Sequence, residues 1–294
     1  MSPSKVIGFP ENNLTHRIIH DAVKGGYAVG GYCVYNAEGV LAVVKAAERC
    51  RSPAMIQLFP WSIHFQGPAF IKFVAETAHA ASVPISVHLD HCLKPEDAEI
   101  ALECAFDSIM VDGSLFEEEE SIAYVKSVVD KAKLKGITIE AELGRMEGSE
   151  DGLPTIDLET VWTDPNRARE FVDRTGVHFL APSFGNVHGP YPVGGAEKHW
   201  QIDRLEKIHA ALGDETPLVL HGTHPLSDNM VRASMARGMA KINQNRTVRE
   251  EYMKHIAENS GKLELTALQS QGVELYSKGV ERMMVEVFNS AGKA

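Results

Sequence analysis

Residues that can bind a metal ion or move a proton recur directly after short apolar runs of this sequence. Three histidines stand at such places, each beside glycine or aspartate, namely His91, His188 and His221. Three neutral imidazoles that leave a fourth position open form a catalytic zinc site, whereas structural zinc sites use four protein ligands. One such histidine alone is more simply a buried, hydrogen-bonded residue, but the three together favour a metal site.

Carboxylate side chains follow the same apolar runs. Asp90 adjoins His91, where it could orient the imidazole or exchange a proton beside the ion. Asp112 and Glu142 end two neighbouring runs, and a buried carboxylate at such a place is usually paired or metal-bound. An ion pair with Arg145 is the alternative interpretation of these two carboxylates.

Eight apolar runs rich in β-branched residues alternate with longer segments of helical periodicity. This rhythm predicts βαβ units and a parallel sheet. Eight units in 294 residues fit an α/β fold of the (β/α)8 TIM-barrel type, as a single domain over residues 1–294. An open dinucleotide-binding sheet would need G-x-G-x-x-G after its first strand, which the sequence lacks. The predicted strands are Ala28–Val34, Ala54–Phe59, Ile85–Asp90, Ser108–Gly113, Ile137–Leu143, His178–Phe184, Pro217–Gly222 and Ala240–Asn245.

Helices are predicted at both ends of the chain in addition to those between strands. Asn12–Lys24 should close the bottom of the barrel, and Val248–Asn259 and Glu264–Asn289 should form a helical extension after the last strand. In such barrels the chemistry lies at the carboxyl ends of the strands. The candidate ligands and carboxylates should therefore meet at one mouth.

Two loops have a composition that suits substrate binding. Barrels often bind phosphate after strands seven and eight, where the N–H groups near Gly222, the Thr223 hydroxyl and the Arg246 guanidinium are suitable donors. The segment 145–165 is long for a βα loop, and such loops are often lids. Glu150 within it could enter the site when substrate binds, although a surface loop with no such role is the simpler interpretation.

Bulk composition excludes several classes of function. A net charge of −11 without a basic stripe argues against nucleic-acid binding. No apolar run approaches the ~18 residues of a membrane span, and the first residues lack an apolar signal core. Four cysteines without CxxC spacing fit reduced thiols, so a cytoplasmic protein is expected.

Four segments resemble signature segments of the class II aldolases, the fructose- and tagatose-bisphosphate enzymes. The segment Glu150–Gly152 is similar to that family's loop, and Tyr27 through Asn36 is similar to its first strand. The likeness extends from Tyr27 to Arg249. The four signature-like segments are His88–His91, Ala141–Arg145, Gly185–Gly189 and Leu220–Gly222.

The resemblance implies a lyase that reversibly cleaves a ketose bisphosphate into dihydroxyacetone phosphate and glyceraldehyde 3-phosphate. It implies one catalytic Zn²⁺ on His91, His188 and His221, and a possible second divalent position near Asp112 and Glu142. Zinc would act as a Lewis acid on the ketone. The resemblance also implies a homodimer or higher homo-oligomer.

The same resemblance implies roles for further residues. Glu150 would take a proton from the ketone phosphate, Asp90 would exchange a proton with the aldehyde-derived hydroxyl, and Asn243 would orient the enediolate. Na⁺ or K⁺ would lie near the phosphate. The substrate- and phosphate-binding residues would be Asn36, Gly189, Gly222, Thr223, His224, Asn245 and Arg246.

Four positions depart from the family pattern. His224 stands where serine is usual, Asn245 and Arg246 replace a pair of small residues, and Phe59 replaces a small hydroxyl residue. We expect His224 and Arg246 to supply the missing phosphate donors. Two alternatives remain: an aldolase for a different or unphosphorylated ketose or ketoacid, and a non-catalytic barrel that binds a metal or sugar phosphate.

Overall fold

Eight parallel strands form a closed barrel in the computed structural model, which describes residues 6–144, 162–189, 191 and 193–294. Each strand pairs with the next along the chain, and the last returns to the first through Val29 and Lys241. The predicted (β/α)8 fold class is therefore confirmed. The strands are β1 (Val29–Cys33), β2 (Ala54–Leu58), β3 (Ile85–Cys92), β4 (Ser108–Val111), β5 (Thr138–Leu143), β6 (Phe179–Pro182), β7 (Leu218–Leu220) and β8 (Met239–Gln244).

Helices surround the barrel and cover its floor. No helix in the described part of the chain is both long enough and apolar enough to cross a membrane. A π-helical turn, Met283–Val287, continues the last of them. The helices are α1 (Leu14–Gly25), α2 (Ala37–Cys50), α3 (Pro60–Phe65), α4 (Gly67–His79), α5 (Pro95–Ala101), α6 (Glu118–Lys135), α7 (Pro165–Thr175), α8 (Ala196–His199), α9 (Ile202–Leu212), α10 (Asp228–Met235), α11 (Arg246–Asn259) and α12 (Leu265–Arg282).

Capping residues define where several helices begin and end. The Asn36 side chain accepts a hydrogen bond from the Gly39 N–H at the start of α2, and Asp164 caps α7 in the same way. Such caps satisfy N–H groups that have no partner within the helix. Gly136 ends α6 in the left-handed conformation, which glycine adopts without a Cβ penalty.

Two apolar layers hold the barrel together. The larger one lies between the strands and the surrounding helices, as the burial of both strand faces requires. The smaller one fills the floor, where Ile18, Ile19 and Ala22 of α1 pack against Met55 and Phe179 from inside the barrel. Helix α1 thus closes the end opposite the candidate site.

All eight observed strands differ from their predicted ranges by one or more residues at an end, and three differences have a clear structural reason. Strand β3 continues to Cys92, because a bulge extends its pairing beyond Asp90. The short helix α3 was not predicted, since six residues are too few to show a helical period. The predicted final helix changes to π geometry after Arg282.

Candidate metal centre and substrate cleft

A bulge at the end of β3 brings two adjacent side chains to the same site. Consecutive strand residues normally point to opposite faces of a sheet. Here the pairing register shifts between Leu89 and Cys92, and His91 has a φ of 46°, a left-handed conformation that is unfavourable for a residue with a side chain. Both Asp90 and His91 consequently lie beside His221.

Three histidines from β3, the segment after β6 and the end of β7 meet at the mouth. The ring centres of His91 and His188 are 4.8 Å apart, those of His91 and His221 4.9 Å, and those of His188 and His221 5.8 Å. One nitrogen from each lies within 4.8 Å of the others, and all three residues are buried. Three imidazole nitrogens this close together could be shared by one ion, as at a three-histidine zinc site.

The surroundings of His221 fit a metal ligand. Its Nε2 lies 3.0 Å from Glu140 Oε1, and an ionised carboxylate can only accept a hydrogen bond, so the lone pair falls on Nδ1. Burial holds the pKa of His221 well below its usual value, which favours the neutral ring. The buried Nδ1 makes no hydrogen bond with any described residue. A metal ion would satisfy it, and the carboxylate behind the ring would orient it.

The electrostatics of the mouth favour a cation. Burial opposes the charged form of His91, but Asp90, Asp112 and Glu142 outweigh it and raise the pKa of His91 to about 10. Asp112 Oδ2 lies 3.5 Å from His91 Nδ1. Burial, followed by the charge of His91, holds the pKa of His188 well below its usual value. The surplus of carboxylates over cationic rings attracts positive charge to this point.

A second group at the mouth could also hold an ion. Ligand atoms of His91, Asp112 and Glu142 lie within 4.8 Å of one another, and His91 belongs to both groups. Glu142 Oε2 is 3.5 Å from His221 Nδ1. The two candidate positions therefore adjoin.

A buried polar layer lies directly beneath these groups. Lys241 Nζ is 2.8 Å from Glu140 Oε2, and both side chains are completely buried. Lys241 also lies 3.4 Å from His88 Nε2, and His88 Nδ1 is 2.7 Å from the Ser108 hydroxyl. Glu140 thus connects Lys241 to His221.

Lys241 and Glu140 were not predicted as site residues, although the strand pattern of the sequence contains a signal for both. Side chains two positions apart in a strand point to the same face. Lys241 precedes Asn243 by two and Glu140 precedes Glu142 by two, so each lies one layer below a residue of the mouth. His88 stands in the same relation to Asp90.

Two amides hold Asp90 in place. Gln57 Nε2 donates to Asp90 Oδ2 at 2.9 Å, and Asn243 Nδ2 donates to the same oxygen at 3.1 Å. Gln57 was not among the predicted site residues. The buried Asn243 Oδ1 has no hydrogen-bond partner in the described part of the chain, so this acceptor is available to a ligand.

A cleft of about 540 Å³ opens beside this centre. A Cβ added to Gly222, whose φ is 69°, would lie 2.3 Å from the Val187 carbonyl oxygen, so the backbone requires glycine there. Asn36 is not among the lining residues, and its Nδ2 donates to the Tyr252 hydroxyl at 3.0 Å. The predicted residues that do line the cleft are Asp90, His188, Gly189, Gly222, Thr223, His224, Asn243, Asn245 and Arg246.

Some polar side chains of the cleft are already engaged. The Thr223 hydroxyl donates to the Asn243 carbonyl at 2.6 Å, and Asn245 Oδ1 accepts from Tyr35 and Arg249. Arg246 begins α11, and its side chain is 65% exposed. The anion-binding groups that face the cleft therefore include Arg246 and the first N–H groups of α11.

Two residues named from the sequence lie outside the described residues. Glu150 was predicted as the proton acceptor on a loop, and Arg145 was the alternative ion-pair partner of Asp112 and Glu142. Both roles stay predictions.

The fold and the mouth together define a class of protein. A closed (β/α)8 barrel with buried imidazoles, flanking carboxylates and a glycine-lined cleft at the carboxyl ends of its strands has the architecture of a barrel enzyme, with side chains at its mouth that could hold a metal ion. The family described as "Fructose-bisphosphate aldolase class-II" matches residues 13–293. The chain belongs to this family, whose members are lyases, and the predicted family is confirmed.

Similar proteins cover almost the whole chain. A protein of Coccidioides immitis named "Putative fructose-bisphosphate aldolase" is 43% identical over 277 residues, which is 91% of this chain and 90% of that one. The fructose-bisphosphate aldolase of Streptococcus pneumoniae serotype 4 is 33% identical over 298 residues, or 95% and 98% of the two chains. The crystal structure of "a putative fructose-1,6-biphosphate aldolase" from Coccidioides immitis matches with a TM-score of 0.90 and 40% identity, over 96% of this chain and 98% of that one.

Proposed function

We propose that this protein catalyses the reversible, zinc-dependent aldol cleavage of a ketose phosphate, with dihydroxyacetone phosphate as the ketone product. The observation that carries this proposal is the convergence of His91, His188 and His221 beside Asp90. In the form expected for the family, the substrate is fructose 1,6-bisphosphate and the aldehyde is glyceraldehyde 3-phosphate.

Zinc is the proposed ion because three imidazoles with an open position suit it. Its binding would displace the proton that the neighbouring carboxylates favour on His91. When bound, it would supply Lewis-acid stabilisation of the charge that develops on the ketone oxygen. His91, Asp112 and Glu142 would provide a second position for a divalent ion. A monovalent cation, Na⁺ or K⁺, near the phosphate is part of the proposal.

Asp90 is the proposed acid–base group for the aldehyde half. Its carboxylate is fixed by Gln57 and Asn243, so its oxygens keep a constant direction relative to the cleft. A proton can pass between Asp90 and the hydroxyl of the substrate, which becomes the aldehyde oxygen on cleavage. Asn243 Oδ1 would accept a substrate hydroxyl, and Glu150 is the proposed base for the ketone carbon.

The cleft would hold the phosphate of the ketone. Gly189 and Gly222 allow close approach of backbone N–H groups, and the start of α11 adds further N–H groups. His224 and Arg246 would contribute side-chain donors. Thr223 and Asn245 would contribute through their backbone, because their side chains already bond within the protein.

Three predictions from the sequence remain part of this proposal. They are a homodimer or higher homo-oligomer, a cytoplasmic location, and a substrate that is a small sugar phosphate and not a nucleic acid.

The test is an aldol-cleavage assay on fructose and tagatose 1,6-bisphosphates, with the protein as purified, after chelation and after zinc is restored. We expect cleavage that chelation abolishes and zinc restores. In parallel, exchange of the ketone-phosphate C–H proton with D2O is followed by NMR. Absence of both saturable dihydroxyacetone phosphate binding and this exchange in the zinc-loaded protein would overturn the proposal.

A further inference from the structure

A second cavity of about 490 Å³ opens at the mouth, between the carboxyl ends of β1, β2 and β3. We call it the aromatic pocket. Its main lining residues are Tyr35, Phe59, Trp61, His91, Leu93 and Lys94.

Aromatic rings form one wall of this pocket. The rings of Tyr35 and Phe59 are stacked with centres 5.9 Å apart, and that of Trp61 follows 6.3 Å from Tyr35. Trp61 is 46% exposed, as is unusual for a side chain with so much apolar surface. Exposed aromatic surface in a concave site commonly marks a ligand-binding site.

The pocket adjoins the candidate metal centre on the side away from the phosphate cleft. His91 lines the pocket and belongs to the three-histidine group. Tyr35 forms the partition, because its ring faces the pocket while its hydroxyl donates to Asn245 of the cleft at 3.1 Å. A ketone phosphate in the cleft would therefore leave the aromatic pocket open to its reaction partner.

The charges of the pocket suit an uncharged ligand. A phosphate dianion is usually held by several cationic or N–H donors. Lys94 lines the pocket and is exposed, and the buried Asp97 carboxylate lines it as well, 2.7 Å from His64 Nε2. The charge of His91 at the inner end of the pocket is offset by the carboxylates of the mouth. The aromatic wall of Tyr35, Phe59 and Trp61 offers mostly apolar contact and no cationic group, in contrast to the cleft with Arg246.

We propose that the aromatic pocket binds the aldehyde partner and selects aldehydes with an unphosphorylated, apolar chain over glyceraldehyde 3-phosphate. This inference rests on the proposed aldolase function and names its aldehyde class. In the condensation, a C–C bond forms between the carbon next to the ketone and the aldehyde carbon. The ketone C–H proton leaves to a base, and one proton is delivered to the aldehyde oxygen, so no oxidant or reductant is needed.

The experiment compares condensation of dihydroxyacetone phosphate with butanal, glyceraldehyde and glyceraldehyde 3-phosphate by the zinc-loaded protein. We expect kcat/KM for butanal to exceed that for glyceraldehyde 3-phosphate by at least ~10-fold, the scale on which apolar pockets discriminate. A preference for the phosphorylated aldehyde would overturn the inference.

Proton exchange from dihydroxyacetone phosphate, measured without any aldehyde, separates the two proposals. Loss of exchange would count against the aldolase function itself. Exchange that proceeds normally, together with no preference for the apolar aldehyde, would reject only the aromatic pocket as an aldehyde site.

Two variants sharpen the test. The quantity compared is the ratio of kcat/KM for butanal to kcat/KM for glyceraldehyde 3-phosphate. Trp61→Ala should lower this ratio by at least ~10-fold. Phe59→Ser should also lower it, because it adds a hydroxyl to the pocket. Phe73→Ala removes a partly exposed aromatic ring of α4 that does not line the pocket, and it should leave the ratio unchanged. Equal ratios in wild type, Trp61→Ala and Phe59→Ser would contradict the proposal.

Discussion

Histidines gather at both ends of this barrel, but in different surroundings. At the mouth, His91 and His221 lie among carboxylates, and each has a ring nitrogen within 4.8 Å of one of His188. At the floor, the rings of His16 and His20 on α1 are 4.0 Å apart, and both pack near the ring of Phe179. His178 packs against the same ring.

The two ends differ in what surrounds the imidazoles. The mouth carboxylates overcome burial and raise the pKa of His91 to about 10, whereas burial and then the charge of His20 lower the pKa of His16 to about 4. The pKa of His178 also falls to about 4, chiefly through burial, and its Nδ1 accepts a hydrogen bond from the Ile139 N–H. Closeness of rings is therefore not the mark of a metal centre. The mark of a metal centre is the presence of carboxylates that fix the imidazole tautomer and attract a cation.

Replacing one histidine at each end gives the largest expected contrast. His188→Ala should remove bound zinc and lower cleavage activity by more than the ~10²–10⁴-fold typical of losing one acid–base group. His20→Ala, the same change at the floor, should keep both metal and activity. Metal content by emission spectroscopy and initial cleavage rates measure the two effects. Full zinc occupancy in His188→Ala would contradict the assignment of the mouth.

Asp90→Asn tests proton transfer separately from metal binding. The amide keeps the size of the carboxylate and lies near Gln57 and Asn243, so the fold and the zinc content should persist. The loss of a proton acceptor should lower the cleavage rate by ~10²–10⁴-fold. Unchanged turnover in a zinc-loaded variant would show that Asp90 does not exchange a proton with substrate.

The sequence indicated the mouth because histidines at strand ends are visible without coordinates. Strand alternation also contained the signal for Lys241 and Glu140, which lie two residues before Asn243 and Glu142. The bulge that redirects His91 could not be predicted, because its left-handed φ follows from a register shift between β3 and β4. The hydrogen bond from Asn36 to the Tyr252 hydroxyl could not be predicted from the sequence either, because the two residues are 216 positions apart.

The layer beneath the mouth should contribute to stability through one ion pair. Lys241→Met leaves the Glu140 carboxylate buried without its cation, and breaking such a pair typically costs ~3–5 kcal/mol. The free energy of unfolding from urea titration measures the loss. Adding Glu140→Gln should recover much of it, because the neutral amide still offers an oxygen to His221. A double variant as unstable as Lys241→Met alone would show that the uncompensated charge is not the cause.

Acidification should produce the smallest effect, and it concerns the floor. His16 and His178 stay neutral in the folded state down to about pH 4, whereas in the unfolded chain they bind protons from pH 6.5 downward. Between these values the unfolded state binds more protons, so stability should fall as the pH falls. The double variant His16→Gln and His178→Gln should flatten the pH dependence of the urea midpoint.

His79 provides a control of opposite sign, because its hydrogen bond to Asp107 raises its pKa. Its stabilising contribution is complete below pH 6.5 and fades above it. His79→Gln should therefore lower stability by a constant amount below pH 6.5 and change the slope of stability against pH only above it. An unaltered slope between pH 6.5 and 4 in the double variant would mean that the floor histidines do not set the acid limit of the fold.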